Sequence, residues 1–148
     1  MEYYEDFPEG FVYEYQVQGL AAEEIVAFAE KYDPQRFHLS EEEARKTHFG
    51  GLVASGFQTQ LHCFVSLCRD VLVDAHAVGA PGIDNLKWLR PWYPGETLDA
   101  VATLVEKRLS SKRNDRGYLR FKLTAAANGA PTLEMEWWVI MMTRAGAD

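Results

Sequence analysis

Between Phe57 and Val73 the chain is apolar on most of the circumference of a helix: Phe57, Leu61, Phe64, Val65, Leu67, Cys68, Val71 and Leu72 spread around it, with charge only at Arg69 and Asp70. A helix of that character has no face it can give to water, so the rest of the fold must be wrapped about it. It is entered through Phe49-Gly50-Gly51-Leu52-Val53-Ala54-Ser55-Gly56. The small residues Ala54, Ser55 and Gly56 let a second backbone or a ligand approach the free N–H groups of the first turn. There the helix dipole favours developing negative charge.

What wraps the helix can be read on either side of it. Upstream, Phe11 to Val17 alternates with period two as a short strand. Ala21 to Tyr32 sets Ile25, Phe28, Ala29 and Tyr32 on one face of an amphipathic helix that Pro34 stops. Ser40 then caps a short helix to Lys46, whose first turn is Glu41-Glu42-Glu43. Downstream lie four strand segments, Ile83 to Trp92, Thr97 to Leu109, Gly117 to Ala127 and Thr132 to Thr143, separated by turn signals at Pro94-Gly95, Asn114-Asp115 and Asn128-Gly129-Ala130-Pro131. Leu119, Phe121, Leu123 and Ala125 mark a core face, as do Leu133, Met135, Trp137 and Val139. Trp138, Ile140 and Met142 make the other face of the last strand apolar too, which predicts cover from a second subunit. The expectation is one α+β domain over residues 1–148, a curved antiparallel β-sheet wrapped around a long central α-helix: the hot-dog fold.

Composition removes several function classes. The net charge is −7 over 148 residues, and no basic block interrupts it, so nucleic acid is not an expected partner. The apolar run is broken at Arg69 and Asp70, which argues against a membrane span, and the start of the chain shows no signal-peptide pattern. Cys63 and Cys68 lack metal-ligand spacing and read as core thiols, so no metal is expected and a reducing cytoplasm is the expected compartment.

The chemistry-bearing stretch is Tyr32-Asp33-Pro34-Gln35-Arg36-Phe37-His38, a Pro-stiffened loop that holds a carboxylate and an imidazole five residues apart. One is ordinarily ionised at neutral pH and the other titrates there, which is the pair needed to handle a water molecule. Asp33 and His38 are therefore the candidate catalytic pair, with the Gly56 amide as the candidate oxyanion donor. Ser55, read as a helix N-cap that also touches ligand, joins Phe49 and Phe37 as the candidate substrate-binding residues. His48, His62 and His76 have no partner in sequence and read as packing or surface residues.

Asp33 to His38, the Phe49–Gly56 segment and the later Pro94-Gly95-Glu96-Thr97-Leu98 together resemble the MaoC-like dehydratase family, whose best-known members are (R)-specific enoyl-CoA hydratases. The resemblance runs from about Leu20 to Thr143. It implies water addition to, or removal from, an acyl-CoA thioester, of the 2-enoyl-CoA to (R)-3-hydroxyacyl-CoA type. No cofactor is implied beyond the CoA of the substrate, and the implied assembly is a homodimer or higher homo-oligomer. Departures from the family pattern are Gln35 for its Asn, Arg36 for its Pro, Ser55 where His is frequent and Phe64 where a helix serine is common. A thioesterase on the same fold and a non-catalytic acyl-thioester-binding protein remain alternatives at this point.

Overall fold

The computed structural model describes residues 1–147. Six strands form one antiparallel sheet: β1 (Val12–Val17), β2 (Ala77–Gly79), β3 (Ile83–Trp88), β4 (Leu98–Leu109), β5 (Arg116–Ala127) and β6 (Ala130–Met142). They lie in the order β1-β4-β5-β6-β2, with β3 also paired to β6. The helices α1 (Ala22–Tyr32), α2 (Arg36–Leu39), α3 (Glu41–Arg45) and α4 (Gly56–Leu67) come between the first two strands. Helix α4 is the central one, and the chain has the hot-dog fold of the α+β class.

The long strands are fixed in register by their turns and by one buried face. Asn128 and Gly129 both have positive φ, 48° and 80°, as a tight two-residue hairpin between twisted strands requires. Leu119, Phe121, Leu123 and Ala125 on β5 are buried, and so are Leu133, Met135, Trp137, Val139 and Met141 on β6. A one-residue slip would turn this whole set into water, so the register is strongly specified. Against that concave face α4 lays Cys63 and Leu67, both fully buried, while Phe64 meets the Trp137 ring edge-on at 5.7 Å. From the far edge of the sheet the Tyr15 hydroxyl donates to the Cys63 carbonyl at 2.6 Å.

Several expectations need correcting. The sheet does not fully wrap α4: Phe57 and Leu61, one turn apart, are about half exposed. The helix continues past Leu67 as a π-helical turn over Cys68–Leu72. Tyr32 lies in solvent, not on the buried face of α1. Strand β3 ends at Trp88, and β2, too short to alternate, was not expected. His38 sits in the single turn α2, not in a loop. Trp138 on the last strand is covered from within, by Arg108, Arg120 and the edge of Tyr118. The exposed apolar residues include Phe57 and Leu61 on α4 and Val78, Ile83, Trp88 and Leu89 on or next to β2 and β3.

Candidate active site

Helix α1 ends at Tyr32, and Asp33 leaves the helical conformation, with φ −152° and ψ 68°, while its N–H is still bonded to the Ala29 carbonyl at 2.9 Å. Pro34 has no N–H with which to continue the ladder. The chain therefore turns sharply and enters α2, whose third residue is His38. Two backbone bonds then strap the approach to α4: Val53 N–H donates to the Phe37 carbonyl at 3.3 Å, and Ala54 N–H to the Trp92 carbonyl at 2.9 Å. Trp92 is fixed in turn through Nε1 to the Glu96 carbonyl at 2.7 Å, and Glu96 grips Arg90 through two bonds of 3.0 and 2.9 Å. The Pro94-Gly95-Glu96 segment is thus a brace beneath the site.

This strapping brings Asp33 and His38 face to face, with Asp33 Oδ2 at 3.4 Å from His38 Nε2. The other ring nitrogen, Nδ1, lies 2.6 Å from the Val53 carbonyl oxygen. A carbonyl can only accept, so Nδ1 carries a proton and the tautomer is set. Nε2 of the neutral ring then presents a lone pair toward a carboxylate oxygen. Two acceptors at 3.4 Å, beyond good hydrogen-bond length, call for either an imidazolium or a bridging water.

Asp33 is held on both oxygens. Gln35 Nε2 donates to Oδ1 at 2.7 Å and Ser55 Oγ to Oδ2 at 2.7 Å. Partial burial works to raise the carboxyl pKa, but the bonds from Gln35 and Ser55, with attraction from His38, outweigh it and hold the group below the ordinary carboxylate range. Ser55 is completely buried and does not use its side chain to cap α4, contrary to expectation. Its hydroxyl is committed to Asp33, and the first-turn N–H groups of α4 have no side-chain cap.

Asp33, His38, Gly56, Phe37 and Phe49 all line one cavity of about 340 Å³. Ser55 stands behind its wall. Trp88, whose place in an apolar strand suggests core or interface packing, forms another part of the lining, its indole lying against Gly56. A Cβ at Gly56 would come within 2.8 Å of Trp88 Cγ and nearer still to Cδ2 and Cε2, so the contact admits only glycine. Of the cations in the strand half, Arg90 lines the cavity, already paired with Glu96. His48 lies against Phe49, His76 stacks on Tyr3, and His62 is half-buried beside Trp92, where burial lowers its pKa. No group of three or more His, Cys, Asp or Glu side chains among the described residues is placed to hold a metal ion. No helix among them is long and apolar enough to cross a membrane.

A sheet curled about one helix, with a carboxylate and an imidazole set against that helix's first turn, defines a hot-dog protein with a polar site. Residues 8–122 match the family model for the MaoC like domain, and the chain belongs to the MaoC-like dehydratase family. It is similar to a MaoC-like dehydratase from Rhodospirillum rubrum, at 30% identity and a TM-score of 0.86, over 96% of this chain and 97% of that one. The unliganded R-hydratase PhaJ1 of Pseudomonas aeruginosa shares the fold, at 20% identity and a TM-score of 0.74, over 95% of this chain and 85% of that one. An uncharacterised Bacillus subtilis protein, YdeM, is 28% identical over 120 residues, 81% of this chain and 84% of its own length.

Proposed function

We propose that this protein is a hydratase or dehydratase acting on an acyl-CoA thioester, interconverting a 2-enoyl-CoA and a (R)-3-hydroxyacyl-CoA. The observation that carries the reading is the Asp33–His38 pair, whose Oδ2 and Nε2 face each other at 3.4 Å on the wall of a cavity that also reaches Gly56. A water bridging them is the nucleophile. One of the pair takes its proton as the oxygen bonds to C3, and C2 receives a proton in return, so the water is consumed whole. The thioester oxygen, which gains charge as C3 is attacked, rests on the Gly56 N–H at the positive end of α4. Ser55 and Gln35 keep the carboxylate aimed and ionised. Phe37 and Phe49, in contact at 5.1 Å, form an apolar wall for the acyl thioester.

A homodimer is the proposed working unit. The support is the half-exposed set Phe57, Leu61, Val78, Ile83, Trp88 and Leu89, an apolar area that a second copy would cover. No metal or organic cofactor has a part in the proposed reaction.

Product analysis tests the reading. Incubation with a panel of 2-enoyl-CoA esters, followed by mass spectrometry, is expected to give an intact thioester heavier by one water. Accumulation of free CoA without hydrated ester would replace the hydratase with a thioesterase. Tight binding of every ester without turnover would leave a non-catalytic binder.

A further inference from the structure

Beyond the catalytic cavity lies a second one of about 320 Å³, lined by Leu61, Phe64, Ile83, Met135 and Trp137, with Gln60 its one amide. Three elements order the two cavities in the same way. On α4 the first cavity takes Gly56, Phe57 and Thr59, and the second takes Gln60, Leu61 and Phe64. On β3 the first takes Trp88 and the second Ile83, at opposite ends of the strand. On β6 the first takes Thr132 and the second Met135 and Trp137. The second cavity therefore continues the first along the same helix–sheet groove. Phe57 and Trp88, which line the first cavity and not the second, meet edge to face at 5.1 Å, with the indole also pressed on Gly56.

We propose that the Phe57–Trp88 pair is a wall that ends the acyl pocket and restricts the enzyme to short acyl groups, the groove beyond it, roofed by the second copy over half-exposed Leu61 and Ile83, being a closed-off binding site for a longer aliphatic chain. This rests on the hydratase reading for what enters the cavity. With the thioester oxygen on the Gly56 amide, C3 lies three bonds from that oxygen, by way of C1 and C2. Because the indole contacts Gly56 itself, a chain running along the groove meets the wall soon after C3. An aliphatic tail suits the groove beyond: its lining is Leu, Phe, Ile, Met and Trp with no cation, whereas a pantetheine arm brings two amides and then phosphates that would find a single glutamine to meet them.

Removing the wall is the test. Trp88→Ala joins the two cavities, and each methylene admitted to apolar surroundings is worth a factor of about four. Relative to the four-carbon ester, the eight-carbon 2-enoyl-CoA should gain at least about tenfold in kcat/KM and up to roughly 200-fold. The same change in ratio should appear in calorimetric binding of octyl-CoA against butyl-CoA, non-reactive thioethers that report on the groove without catalysis. Leu61→Trp added to Trp88→Ala refills the groove and should reverse the gain. Light scattering, with circular dichroism, establishes that each variant is folded and in the native assembly; Trp88→Leu serves where alanine is not tolerated. If both ratios stay as in the native protein, or if all chain lengths shift by the same factor, the wall is not there and the proposal is overturned. If no ester is hydrated yet the octyl-to-butyl binding ratio rises, the hydratase reading falls and the groove assignment stands.

Discussion

Ser55, the residue from which the central helix starts, donates its hydroxyl to Asp33 at 2.7 Å and accepts no bond from the first turn of its own helix. A buried hydrogen bond to an ionised partner is worth about 1.5–3 kcal/mol. Here it couples the start of α4 to the end of α1, across the floor of the site. Ser55→Ala should therefore lower stability by about that amount in urea melts at neutral pH.

The same substitution has a signed pH consequence. Asp33 is held below the ordinary carboxylate range, so its share of stability is full above the unfolded-state value and is lost as pH falls through the lower folded-state value. Removing the Ser55 donor raises the folded-state value. The acid limb of the kcat/KM profile should then move to higher pH in Ser55→Ala, and the stability gap between the two proteins should close as the solution is acidified. Ser55→Thr, which keeps the hydroxyl, should restore the native limb.

Asp33 and His38 should separate in a paired measurement of activity and stability. Asp33→Asn keeps the shape and, with the exposed Gln35 amide turned over, both hydrogen bonds, but it removes the charge that strengthens them, so stability at neutral pH should fall by about 1 kcal/mol while activity falls much further. His38→Ala also removes the donor to the Val53 carbonyl and leaves that oxygen unpaired, a further cost of about 1–3 kcal/mol. An equal loss of stability in both would contradict the assigned bond.

Gly56→Ala should be severely damaging because of Trp88. The added methyl group enters the space held by the indole and must displace either the ring or the helix start. Overpacking of this kind costs typically about 1–3 kcal/mol. Trp88→Leu combined with Gly56→Ala should recover part of that stability, a coupling read directly from a double-mutant cycle.

The two thiols should differ sharply. Cys63 is fully buried, and burial pushes its thiol pKa up to about 12, whereas half-buried Cys68 is raised less. A thiol reagent at pH 8 should label Cys68 alone in the native protein, with Cys63 reacting only on unfolding. Two fast labels would place α4 differently.

Much of this fold is legible in the sequence because its signals are local. Leu119 to Ala125 and Leu133 to Val139 alternate cleanly, Asn128-Gly129 can hardly be anything but a hairpin turn, and Pro34 must stop a helix. The opposition of Asp33 and His38 and their shared cavity with Gly56 follow the order in which the family motif runs. What stayed hidden depends on contacts between distant segments. Nothing local distinguishes a capping Ser55 from one that reaches Asp33, or tells that Trp88 lies on Gly56. Strand β2 has too few residues to show a period, and Tyr32 obeys the spacing of α1 while lying past the edge of what that helix covers.

The central claim is that Asp33 and His38 share one water above the Gly56 amide. It is met most directly by following the loss of conjugated thioester absorbance when the native protein, Asp33→Asn and His38→Ala are each mixed with a four-carbon 2-enoyl-CoA. The account predicts rapid loss with the native protein and rates lower by about 10²–10⁴-fold with either variant, both remaining folded. Hydration at near-native rate by either folded variant would contradict it.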